Sequence, residues 1–130
     1  MTAVIIQNVN TNDYLDVNSN GAPVFSANPK SWTAINITQK QFTDGTYTNA
    51  MFQDPVSKKY LSWSVTLTLS DSAEDAQFSP GGPSVNGVAP LPFSSPFGGI
   101  GLALGEDASK QPVAAVGQGE GLFKLSFDRS

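Results

Sequence analysis

A block of short, turn-bounded strands recurs along this chain at an interval of about 40 residues, and a period of that size limits the fold more than any single motif does. Tyr14-Leu15 is matched by Tyr60-Leu61, and an aromatic residue follows each tyrosine by 18 residues, Trp32 in the first block and Phe78 in the second. Gly101-Leu102-Ala103-Leu104 opens a third copy, which Phe123 closes. Pro23-Val24 in the first block is echoed by Pro112-Val113 in the third.

Within the blocks, helical periodicity is absent, while β-branched and alternating segments end at Gly, Pro, Asn and Asp. In the first block Val4–Val9 reads as a strand, Asn10–Asp13 as a turn and Tyr14–Val17 as a second strand. Asn18-Ser19-Asn20-Gly21 then supplies a hairpin turn, because Asn and Gly reach positive φ cheaply. Pro23–Phe25 and Trp32–Ile37 complete four strands. One such block cannot bury its apolar side alone, whereas three around an axis close a barrel under a cap of hairpins. The expectation is an all-β single domain, a β-trefoil with blocks at roughly 1–43, 44–86 and 87–130. Alternation places Leu15, Val17, Val24 and Trp32 inward, with Leu61, Trp63, Leu67 and Phe78, and Leu102, Leu104, Val113 and Phe123.

The 130 residues contain no His and no Cys, which excludes thiol nucleophiles, disulfides, a Ser-His-Asp triad and zinc sites built from N or S ligands. No pairing among eight Asp, three Glu and the Lys residues suggests a catalytic couple, so no enzyme, cofactor or metal is expected. Asp71, Glu74 and Asp75 read as a solvated acidic run without the Gly and ligand spacing of a calcium loop. Gly117–Gly121 and Gly98–Gly101 lack the Lys-Ser/Thr and the helix of a phosphate loop. A net charge of −4 gives no basic footprint for nucleic acid. Charged residues are only 14%, against about 25% in an ordinary domain, so the surface offers neutral hydrogen bonds from Asn, Ser, Thr and Gln. No apolar run reaches membrane-helix length and Met1–Gln7 does not read as a signal peptide, so a cytoplasmic protein without membrane insertion is expected. The sequon Asn36-Ile37-Thr38 would matter only on the secretory route.

The repeat pattern breaks between Ser79 and Gly99, where five of the nine prolines lie. Proline cannot donate to a ladder, which makes this stretch a long loop or an edge segment, with Leu91, Phe93 and Phe97 as a candidate binding or homodimer surface.

Eight Asn residues fall in the first fifty positions, and the alternation of Tyr14-Leu15-Asp16-Val17 turns Asp16 outward beside the Asn-Gly turn. Its counterparts are Ser62 and Ala103, which leaves the first block as the one presenting a carboxylate. A carboxylate and amides bridging adjacent hydroxyls, with an apolar face beneath the C–H side of a ring, suit a sugar. Leu15-Asp16-Val17, Gly21, Pro23-Val24, Phe25, Asn28 and Trp32 follow one another as in the sugar-binding blocks of the ricin-type β-trefoil lectins, and the chain more loosely resembles the small disulfide-free trefoil lectins of mushrooms. The resemblance implies a non-catalytic lectin for galactose or N-acetylgalactosamine glycans and glycoproteins, with Asp16 accepting from sugar hydroxyls, Phe25 stacking and Asn28 completing the hydrogen bonds. Asn18 and Gly21 complete that candidate site. The alternative is a β-trefoil protease inhibitor, which fungal trefoils of this size also include, acting through Lys58-Lys59 or segment 80–99.

Overall fold

The computed structural model describes residues 2–63, 67–72, 77–80, 82–94, 102–115 and 121–127, with Trp63 described by its backbone alone. Four strands come first: β1 (Thr2–Asn8), β2 (Asp13–Val17), β3 (Pro23–Ser26) and β4 (Ser31–Ile35). A short helix α1 (Gln39–Asp44) leads to β5 (Met51–Gln53), β6 (Tyr60–Trp63) and β7 (Leu67–Ser70). The remainder holds β8 (Val88–Ala89), β9 (Ala103–Glu106), β10 (Pro112–Ala115) and β11 (Phe123–Phe127).

All strand pairing among the described residues is antiparallel, and it forms a nearly closed, barrel-like sheet. β1 pairs with β4 through Val4↔Trp32 and with β11 through Ile6↔Leu125. The wall continues from β4 to β5, then by single bridges from Ala50 to Phe78 and from Phe78 to Phe93. β8 pairs with β11 and returns the wall to β1. Three hairpins among the described residues lie off this ring, β2–β3, β6–β7 and β9–β10, and their strands β3, β7 and β10 touch one another.

Period-two alternation aims one side of each strand inward. Val4, Ile6 and Asn8 of β1 are buried, as are Phe123 and Leu125 of β11. Phe52 meets Phe78 edge-on at 5.3 Å between ring centres, and Phe78 meets Phe93 at 5.2 Å. Trp32 is fully buried and its Nε1 donates to the Leu15 carbonyl at 3.0 Å, which ties the ring to the first hairpin.

The inward positions divide. Leu15, Trp32, Leu61, Leu67, Phe78, Leu104 and Phe123 are buried, while Leu102 and Val113 are half-buried. Val17 packs against the core from its edge, and Val24 faces away from it. In β3 the buried residues are Pro23 and Phe25, because a run of three apolar residues fits either face and the Leu15↔Phe25 pairing decides between them.

The segment rich in proline is not a loop over the barrel in its described part; it is a stretch of wall. Its carbonyls and its non-proline amides make the bonds that the prolines cannot: Ser79 N donates to Pro92 O, Phe93 N to Leu102 O, and Leu104 N to Leu91 O. Leu91 is fully buried and so offers no binding or dimer surface, while Phe93 is half-buried and packs against the core. Phe97, the acidic residues Glu74 and Asp75, and most of the two glycine-rich stretches lie outside the described residues.

Helix α1 departs from the all-strand reading, and Thr38-x-x-Gln41 is its signature. The Thr38 side chain accepts from the Gln41 amide while Gln41 Oε1 accepts from the Thr38 amide. Phe42, 1% exposed, pins the helix to the core, and Gly45 ends it at φ 68°. A Cβ on Gly45 would stand 2.5 Å from the Gly82 carbonyl carbon, a backbone atom. Gly45→Ala is expected to cost about 1–3 kcal/mol from the left-handed strain, with the contact adding to it, measured by urea unfolding. No helix among the described residues is long and apolar enough to cross a membrane.

Candidate functional site

Of the five candidate site residues singled out from the sequence, the outward face of the β2–β3 hairpin holds Asp16, with Asn28 at its edge. Because β2 buries Asp13 and Leu15, Tyr14 and Asp16 fall on its opposite side. Register sets Ser26 against Tyr14 and Val24 against Asp16, so these four side chains share one face. Asp16 is braced at two points: its Oδ1 accepts from the Val17 amide and its Oδ2 from the Ser26 hydroxyl, each at 2.8 Å. A carboxylate offers about four acceptor positions, so half of its capacity remains for another molecule.

The other candidates divide between turn and face. Asn18 serves the turn, its Oδ1 taking the amides of Asn20 at 2.9 Å and Ala22 at 3.0 Å, and Gly21 supplies φ 79° there. Asn28 is exposed and its backbone amide donates to Ser26 Oγ at 3.1 Å, which places it just beyond Ser26, at the Tyr14 end of the face. Its side-chain amide makes no hydrogen bond among the described residues. Phe25 is not on this face. It is 3% exposed and stacks inside on Phe123 with ring centres 6.1 Å apart, so it is a core residue and offers no platform to a ligand. The aromatic ring beside Asp16 is half-exposed Tyr14, which its position two residues before Asp16 could have revealed.

The equivalent places in the other blocks are closed. Ser62 is 5% exposed and donates to the Tyr60 carbonyl at 3.2 Å, and Ala103 is 1% exposed. The outward carboxylate therefore belongs to the first block alone among these three positions.

Beneath the hairpin a polar cluster joins the two ends of the chain. Lys110 donates to Asp13 Oδ2 at 2.6 Å, while Asn8 and Thr11 both donate to Glu106 Oε1, at 3.0 and 2.8 Å. The Lys110 hydrogen bond, followed by that from Glu106, holds the Asp13 carboxyl below its ordinary value. Burial, followed by the neighbouring Asp13, pushes Glu106 above its own. Phe25 N donates to Lys110 O at 2.9 Å alongside this cluster. Hairpin β2–β3 is thereby fixed against the third block.

A second exposed feature is the turn from Asp54 to Lys59. Asp54, 4% exposed, accepts from Lys30 Nζ at 3.0 Å, from the Val56 amide at 3.1 Å and from the Ser57 hydroxyl at 3.0 Å. Lys30 also lies 5.4 Å from the centre of the Trp32 ring. The turn so braced holds Val56 out at 85% exposure, beside Lys58 in the left-handed region at φ 64°.

No family model matches the chain, and comparison of its sequence with curated proteins finds no match. Solved structures do resemble it. A salivary protein from Culex quiquefasciatus of the Cysteine and Tryptophan-Rich (CWRC) family superposes with a TM-score of 0.68 at 12% identity, covering 95% of this chain and 91% of that one. The GlcNAcα1-4Gal releasing endo-β-galactosidase from Clostridium perfringens gives 0.71 at 12% identity, covering 99% of this chain and 33% of the enzyme. The lysenin pore gives 0.67 at 11% identity, with 98% of this chain and 47% of that one. These likenesses are of fold, and the chain spans only part of the enzyme and of lysenin.

Proposed function

We propose that this chain is a β-trefoil and a non-catalytic carbohydrate-binding protein whose site is the outward face of the β2–β3 hairpin. The trefoil reading is supported by the ring of antiparallel pairings and by three hairpins whose strands β3, β7 and β10 meet. The sugar reading is carried by Asp16, a carboxylate held by two hydrogen bonds with acceptor capacity to spare, on the same face as the Tyr14 ring. Tyr14 takes the stacking role expected of Phe25, and Asn28 offers a free amide beside Ser26. Fixing these groups in advance lowers the entropy cost of binding a small, flexible-hydroxyl ligand. That a structural neighbour is an enzyme named for releasing GlcNAcα1-4Gal supports a glycan as the ligand. Terminal galactose or N-acetylgalactosamine is the sugar the first block's resemblance implies.

Calorimetric titration of the wild type, Asp16→Ala and Tyr14→Ala with a glycan it binds tests the site. A hydrogen bond to a charged group contributes about 1.5–3 kcal/mol, so Asp16→Ala is expected to weaken binding at least tenfold. Its stability changes by about 1 kcal/mol or less, because the lost partners Ser26 Oγ and Val17 N stay within reach of water. Binding undiminished in both variants would move the site elsewhere.

The second reading is a protease inhibitor acting through residues 54–59, and the observation favouring it is exposed Val56 on a turn braced by buried Asp54. Inhibition would survive Asp16→Ala and free sugar and would fall on softening that turn.

A further inference from the structure

Away from the hairpin, a cleft of about 450 Å³ opens where β4 gives way to α1 and α1 to β5, lined by Asn36, Ile37, Thr38, Gln41, Thr48 and Asn49. Its two rims are drawn together locally. Asn36 at φ 61° and Asn49 at φ 55° turn the chain on either side of the helix, and Asn36 Nδ2 donates to the Asn49 carbonyl at 3.3 Å. Ile37, 4% exposed, forms an apolar floor.

The lining is rich in hydrogen-bonding groups that the fold does not consume. Thr38 Oγ and Gln41 Oε1 are engaged as acceptors by the helix cap, which leaves the Thr38 hydroxyl hydrogen and the Gln41 Nε2 group. Asn36 Oδ1, the Thr48 hydroxyl and the Asn49 side-chain amide make no hydrogen bond among the described residues. Donors and acceptors are both present and no lining residue is ionisable. Such a surface has nothing to neutralise an ion, and matches a neutral molecule carrying several hydroxyl or amide groups. The volume lies in the range of about 300–1,000 Å³ usual for small-molecule sites.

We propose that this cleft is a second binding site, for a neutral polyhydroxyl or acetamido ligand of one or two sugar rings. It shares no residue with the hairpin face and stands without it, although the two would take the same class of ligand. With no aromatic ring in the lining to stack on, its affinity is weak, in the millimolar range. A chain holding both sites is bivalent as a monomer, so cross-linking of glycan-bearing surfaces would need no dimer.

Amide chemical-shift mapping with the methyl glycosides of galactose and N-acetylgalactosamine tests the proposal, using wild type, Asp16→Ala and the double variant Thr48→Val/Asn49→Gly. Glycine keeps the positive φ of Asn49 and its carbonyl, so the double variant removes only the two ligand-facing groups. The expected result is saturable movement of the 36–41 and 48–49 amides at millimolar sugar, retained in Asp16→Ala and weakened at least tenfold in the double variant. Movement confined to the hairpin amides would overturn the cleft and leave the hairpin reading standing. Movement confined to the cleft would do the reverse, and movement at neither site would overturn both. Cleft shifts unchanged in the double variant would also overturn the proposal.

Discussion

Phe25→Ala is expected to lower the unfolding free energy by about 3–5 kcal/mol, the cost of removing a fully buried aromatic side chain and leaving a cavity. Phe25 is 3% exposed, faces Leu15 across the hairpin and stacks on Phe123, so its loss loosens both the first hairpin and the closing strand β11. Tyr14→Ala, on the opposite face of the same hairpin, is expected to cost far less stability and to weaken sugar binding. Urea unfolding and binding measured on both variants separate core from site. A stable Phe25→Ala protein that has lost binding would restore Phe25 as the platform and contradict the register of β3.

Asp54→Ala carries the next largest effect, about 3 kcal/mol, at the low end of the range for breaking a buried ion pair. Three donors lose their acceptor at once, Lys30, the Val56 amide and the Ser57 hydroxyl, and the Lys30 side chain is only 16% exposed. Lys30→Met in the same chain should recover part of the loss by removing the stranded charge. Sugar binding should survive in the variant once folded, whereas a function residing in residues 54–59 would not.

Acid unfolding follows the same groups. Burial pushes the Asp54 carboxyl up, but the Val56 amide, Lys30 and Ser57 outweigh it, so it sits below its ordinary value of 3.8. A lowered folded-state value means stability that is present above the unfolded value and lost as pH falls through the folded one. Asp13, held down by Lys110 and Glu106, adds to this limb below about pH 3.8. Glu106 has the opposite sign: raised above 4.5 by burial, its ionisation opposes folding at neutral pH, and acid relieves that cost. The acid limb of wild-type stability should therefore be steeper than that of Asp54→Ala.

The first hairpin was legible because its signals were local. Asn18 to Gly21 announce the turn, and alternation through Tyr14-Leu15-Asp16 places the carboxylate outward, as found. Phe25 was not legible, since Pro23-Val24-Phe25 is apolar at every position and only pairing with Leu15 chooses its side. Pro90-Leu91-Pro92-Phe93 misled for a related reason: prolines forbid donation from their own nitrogens, but a single-bridge wall needs only the carbonyls and the amides between them. The capping box at Thr38 and Gln41 was readable, yet six helical residues carry too little periodicity to stand out. No linear motif announced the cleft, because Asn36 to Gln41 and Thr48-Asn49 are brought together only once β4 and β5 pair.

The claim at the centre of this account is that the outward face of β2–β3 binds carbohydrate, and a glycan array probed with folded wild type beside Asp16→Ala tests it most directly. The account predicts selective retention on glycans ending in galactose or N-acetylgalactosamine, strongly reduced for Asp16→Ala. An array that retains neither protein at high concentration would contradict it, and retention indifferent to Asp16 would contradict the assignment of the site.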